Sequence, residues 1–176
     1  MAEDSFSGWG VRTLSGRERR YNPMSYHNGS VWPHDNAIVA AGMARYGLRE
    51  PALAILGGLF EASTFFELHR MPELFCGFPL RPAAGPTLYP VACAPQSWAA
   101  GAVYMLLQAC LGVTIDGHGG VVRFDRPVLP AFLDQVHIRG LRVADASVDL
   151  ALQRHSTGVG INVTRREGRV QVVAVK

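Results

Sequence analysis

Apolar residues follow two different rhythms along the chain. Over residues 37–46 and 51–69 they recur at three- and four-residue spacing, with Leu53, Leu56, Leu59, Phe60 and Phe66 marking the second run. That period predicts two helices. Pro51 suits the first turn of the second, where its missing N–H and fixed φ do no harm. Gly57 and Gly58 weaken that helix locally but permit close contact with another. Over residues 95–111 the apolar character runs round the whole circumference, which predicts a third helix buried on nearly all sides. Beyond Gly112 the period shortens, and residues 121–124, 135–143, 147–153, 159–164 and 170–175 alternate or cluster as strands. Turn signals at Thr157–Gly158 and Glu167–Gly168 predict hairpins. Pro127 and Pro130 confine their segment to a loop. The expected organisation is mainly α over residues 1–115, with a small antiparallel sheet over the β-rich residues 116–176.

Two segments fit neither rhythm. Residues 21–36, YNPMSYHNGSVWPHDN, and residues 71–77, MPELFCG, are broken by Pro23, Gly29, Pro33 and Pro72. Loops this rich in chemistry commonly line sites. Tyr26, His27, Asn28, Ser30 and Trp32 offer flat apolar faces beside compact donors and acceptors, the same duality that a pyranose ring presents. A tightly turned aromatic loop that only packs is the alternative. Pro33 marks a helix start, with His34 and Asp35 in the first turn. Asp35 there complements the helix dipole or binds a hydroxyl beside Trp32. Glu73 lies on an irregular segment between Pro72 and Leu74, Phe75 and Cys76. Burial in such a setting raises a carboxyl pKa towards the range that general acid or base work requires. A surface loop glutamate is the alternative.

Four motifs in order, GWGVRTLS (residues 8–15), YHNGSVWPHDNAI, PELFCG and YPVACAPQSWAAGA, resemble the C-terminal catalytic half of bacterial amylo-α-1,6-glucosidases of the glycogen-debranching type. The resemblance implies the C-terminal portion of an (α/α)6 barrel of the six-hairpin glycosidase type, with the active site where loops meet at one end. It also implies inversion at the anomeric carbon by two carboxylates roughly 6.5–9.5 Å apart. Glu73 would then be the general base. Trp9, Arg12, His27, Trp32, Gln96 and Trp98 would be sugar-subsite residues; Tyr26 and Asp35 are added as substrate-binding candidates on their own chemistry. Arg12 would fork onto hydroxyls or orient Glu73; pairing with a surface acid is the simpler alternative. The family's general acid lies in an earlier part of the barrel, and only Glu3 and Asp4 precede the first motif. The chain is therefore expected to lack that acid and to need a separate N-terminal half, or to self-associate through its apolar surface.

The 176 residues, 48% of them hydrophobic, suffice for one ordinary domain with a small appendage but not for a complete double ring of helices. No fixed-period repeat or low-complexity tract is present, which excludes solenoid and disordered classes. The net charge is only +3, with basic residues scattered over 17–20 and the tail, so no nucleic-acid partner is expected. Residues 97–115 approach spanning length. Trp98, two internal glycines and the lack of a basic cluster favour a buried helix over a membrane span. Cys76, Cys93 and Cys110 form no CxxC pair, and no secretory signal precedes them, which points to reduced thiols in the cytoplasm. His27, His34 and Asp35 match no familiar ligand spacing, so neither metal nor cofactor is expected. Three functions fit: the base-supplying segment of an inverting α-glucosidase, a sugar-binding remnant without turnover, and a structural fragment.

Overall fold

A computed structural model describes residues 1–175. The chain divides into two compact units, Met1–Leu107 and Gln108–Lys176.

The first unit is built on α1 (Pro33–Arg45), α2 (Arg49–Ser63) and most of α3 (Ser97–Leu111). Trp32 enters α1 in an extended conformation and Pro33 supplies its first position. Asp35 in the first turn and Arg45 in the last complement the dipole. Ala37, Ala40 and Ala44 of α1 are buried, as are Ala52, Ile55, Leu56, Leu59 and Ala62 of α2, and the two helices pack on each other through these stripes. Gly47, at φ +80°, turns the chain between them in the left-handed conformation usual after a helix.

α2 ends at Ser63, short of the expected residue 69. Ser63 Oγ and Thr64 Oγ1 donate back to the carbonyls of Phe60 (2.6 Å) and Glu61 (2.7 Å). The N–H groups of Thr64, Phe65 and Phe66 each bond only three residues back. This tightening unwinds the last turn. Leu68 and His69, at φ +52° and +56°, cannot continue a right-handed helix.

α3 also differs from expectation. Ala99, Ala102, Leu106, Ala109 and Cys110 form one buried stripe, whereas Val103, Tyr104 and Met105 are exposed. The helix stops at Leu111 because Gly112 adopts φ +58°, and the apolar run continues as a strand. No helix among the described residues is long and apolar enough to cross a membrane.

The expectation of a mainly α chain forming part of an (α/α)6 barrel is not met. The described residues form three α-helices and two small sheets, 26% helix and 29% strand. One reason is local: Pro72, Pro79, Pro82, Pro86, Pro90 and Pro95 recur through the connection between α2 and α3, removing donors that a helix needs. That stretch folds as a layer of loops.

The described residues of the second unit form six strands. β1 (Val113–Asp116), β2 (Val121–Asp125) and β6 (Gln171–Val175) form one sheet in that order, with β1 antiparallel and β6 parallel to β2. β3 (Gln135–Val143), β4 (Ala146–His155) and β5 (Gly158–Glu167) form an antiparallel meander. Burial alternates along β4, so Val148, Leu150 and Leu152 join Val122, Phe124, Leu129, Val143 and Val170 in one core. The hairpin at Thr157–Gly158 is present as β4–β5. That at Glu167–Gly168 is not: β5 pairs with β4, and β6 pairs in parallel with β2, so Gly168 passes the chain from one sheet to the other. Instead of one antiparallel sheet the described residues form an antiparallel and a mixed one, because the meander β3–β5 serves as the long crossover that a parallel pair requires.

Candidate active site

Isolated bridges Arg12–Val31, Val31–Phe75 and Phe75–Leu88 set four loop segments side by side. Val31 and Phe75, both fully buried, exchange backbone hydrogen bonds of 2.9 and 3.0 Å. Asn36, also buried, ties the row to α1. Its Oδ1 accepts from the Val11 N–H (2.7 Å), and its Nδ2 donates to the Val11 (3.0 Å) and Trp32 (2.9 Å) carbonyls. Gly77 passes so close to the neighbouring loop that a Cβ there would lie 1.7 Å from the Gly29 carbonyl oxygen.

Glu73 sits within this frame, 8% exposed. Its N–H donates to the Cys93 carbonyl at 2.8 Å, which joins the PELFCG and YPVACA segments. The Tyr26 hydroxyl donates to Oε1 at 2.5 Å and the Cys93 N–H to Oε2 at 3.3 Å. These donors fix the carboxylate while leaving lone pairs on both oxygens. The hydrogen bond to Glu73, followed by desolvation and the nearby negative charge, pushes the Tyr26 phenol up to about 12. Tyr26 therefore remains a donor throughout the neutral range.

An aromatic row extends from this carboxylate. The Tyr26 ring lies edge-on to Trp32 at 4.8 Å and 5.6 Å from Tyr89. His27 stacks on Trp32 at 5.6 Å with planes 7° apart. His34 stands 5.6 Å from Trp32 and 5.5 Å from Trp98. Trp32 is only 6% exposed, with its Nε1–H bonded to Ser30 Oγ (2.9 Å) and the Tyr26 carbonyl (3.1 Å). Its indole anchors the loop, and the most exposed members of the row are His27 and, at 47% exposure, Trp98, with Tyr26, His34 and Tyr89 half-buried.

The other residues singled out in the sequence lie as follows. Trp9 is buried, edge-on to Phe65. Arg12 donates through Nε to the Gly77 carbonyl (2.7 Å) and through Nη1 to the Glu3 (3.1 Å) and Asp4 (3.3 Å) carbonyls, which makes it a clamp between loops. Asp35 is exposed, 3.2 Å from His34 Nε2, and lines a groove with Arg12, Thr13 and Asn36. Gln96 Oε1 accepts from the Ser97 N–H (2.9 Å) at the start of α3. Tyr26 thus touches Glu73 directly, His27 and Trp32 follow it in the aromatic row, Trp98 and Asp35 reach that row through His34, and Trp9, Arg12 and Gln96 bond elsewhere. The groups hydrogen-bonded to the Glu73 carboxylate among the described residues are Tyr26 and Cys93; no second carboxylate is among them.

Asn36, Tyr89 and the Cys93 backbone are parts of this arrangement that side-chain type alone does not reveal. Asn36 had one signal, an amide four residues after Trp32 on the face of α1 that carries buried alanines. No group of three or more His, Cys, Asp or Glu able to hold a metal occurs among the described residues.

No curated protein matches the chain. Residues 2–70, less than half of it, match the family model described as a mannosylglycerate hydrolase MGH1-like glycoside hydrolase domain. The match takes in the Trp9, Tyr26 and Trp32 segments with α1 and α2, so this part of the chain is similar to a glycoside hydrolase domain.

Proposed function

We propose that the chain contributes the base-bearing wall of an inverting glycosidase site, with Glu73 as the general base. The observation that carries this reading is a buried carboxylate, held by Tyr26 and Cys93, at the start of an aromatic row with exposed members. Glu73 takes a proton from a water whose oxygen attacks the anomeric carbon. The glycosidic bond breaks with its electron pair passing to the leaving oxygen, which a second carboxyl protonates. Debranching specificity for α-glucosidic oligosaccharides rests on the motif resemblance, as does the placing of the acid in an upstream segment or separate N-terminal partner. His27 and Trp98 supply the stacking faces, and Tyr26 keeps the base oriented.

The test is proton NMR of maltotriose and isomaltose incubated with the chain, alone and with any upstream partner segment. A β-configured initial product supports inversion; an α-configured one refutes it.

A sugar-binding role without turnover is the second reading, favoured by the exposed faces of His27 and Trp98 in the aromatic row. Saturable oligosaccharide binding with no product in either condition would establish it in place of hydrolysis.

A further inference from the structure

The second unit carries the chain's whole net charge of +3, with nine Lys and Arg against six Asp and Glu. It also contains a cleft of about 260 Å³ between the segment after β2 and the turn joining β4 to β5. Arg126, His155 and Thr157 supply its polar lining and Pro127, Val128 and Val159 its apolar lining.

Three features show that the shape is built. Arg126 is held in the left-handed region at φ +45°, an uncommon conformation for a side chain of this size, while its N–H bonds the Val175 carbonyl at 2.8 Å. The following segment is clamped by Arg154, whose Nη2 donates to the carbonyls of Leu129 (2.9 Å), Pro130 (2.5 Å) and Leu133 (2.9 Å). Gly160 leaves room for the His155 ring, since a Cβ there would stand 2.8 Å from Nε2. Backbone strain at a cleft edge is a pointer to function when the surrounding structure enforces it.

We propose that this cleft binds a small carboxylate with an apolar body. The guanidinium fork matches a planar carboxylate. Arg126 Nε lies 3.5 Å from Asp125 Oδ1, and 59% of the Arg126 side chain is exposed. A single guanidinium with one imidazole favours a monoanion over a phosphate, and Pro127, Val128 and Val159 accept the aliphatic part. The site lies within the second unit and is independent of Glu73.

Amide NMR titration of the full chain with hexanoate tests the proposal, with hexanamide as the neutral isostere and inorganic phosphate as the competing anion. Saturable shifts centred on residues 126–128 and 155–160, at least tenfold weaker with hexanamide, are expected. Arg126→Gly should abolish them while raising the melting temperature, because glycine adopts φ +45° without strain. Equal binding of hexanamide, tighter binding of phosphate, or unchanged hexanoate binding by Arg126→Gly would overturn the assignment.

Discussion

Replacing Asn36 by alanine removes the link between the first motif and α1. The amide makes three hydrogen bonds, 2.7 Å from the Val11 N–H and 3.0 and 2.9 Å to the Val11 and Trp32 carbonyls, from a buried position. Each is worth about 0.5–1.5 kcal/mol net, so their loss together costs about 3 kcal/mol. That is a large fraction of the ~5–15 kcal/mol stability of an ordinary domain. All three tryptophans, Trp9, Trp32 and Trp98, lie in the first unit, so their fluorescence during urea denaturation follows that unit by itself. The midpoint of Asn36→Ala should fall sharply, while Asp35→Asn, at the exposed neighbouring position, stays within about 0.5 kcal/mol of the parent. A loss below about 1 kcal/mol for Asn36→Ala would show that this amide is not what fastens the loop row to α1.

Other consequences are equally direct. Gly77→Ala drives a methyl into the Gly29 carbonyl, 1.7 Å away, and should displace both loops; a variant with unaltered tryptophan fluorescence and melting temperature would contradict this packing. Because the folded state raises the Tyr26 phenol from 10.0 to about 12, its contribution to stability is complete below pH 10 and lost as pH rises towards 12. The stability difference between the parent and Tyr26→Phe should therefore shrink over that window, and a difference that stays constant through it would refute the Tyr26–Glu73 bond. Burial pushes the Cys76 thiol up, and Cys110 is buried too, so mass spectrometry after brief iodoacetamide treatment should find Cys93 alkylated first. Equal labelling of all three would contradict the burial pattern.

Local rules read much of this chain correctly. Pro33 at a helix start, the i, i+3 apolar spacing of α2 and the alternation along β4 are each decided by neighbours in sequence, and all three appear. What failed depends on distant partners. The parallel pairing of β6 with β2 is invisible to a rule that joins consecutive strands through a turn, and Glu167–Gly168 carried that rule to the wrong sheet. The barrel expectation extended a resemblance in loops to the helices around them, although the proline-rich connection between α2 and α3 already opposed it. At the site, the sequence marked Glu73, Tyr26 and Trp32 as chemistry-bearing. It could not show that Tyr26 grips Glu73 or that Arg12 spends its Nε donor on the Gly77 carbonyl, because each joins segments tens of residues apart; nor could it show that the non-repetitive turn lays His27 over Trp32.

A base at Glu73, as proposed, and a purely structural carboxylate respond differently to loss of the charge. Glu73→Gln keeps the size and the Cys93 contact, so oligosaccharide affinity should remain near that of the parent. Its hydrolysis rate, measured with whatever partner segment supports turnover, should fall by about 10²–10⁴-fold. A parental rate in a variant that still binds sugar would contradict the account.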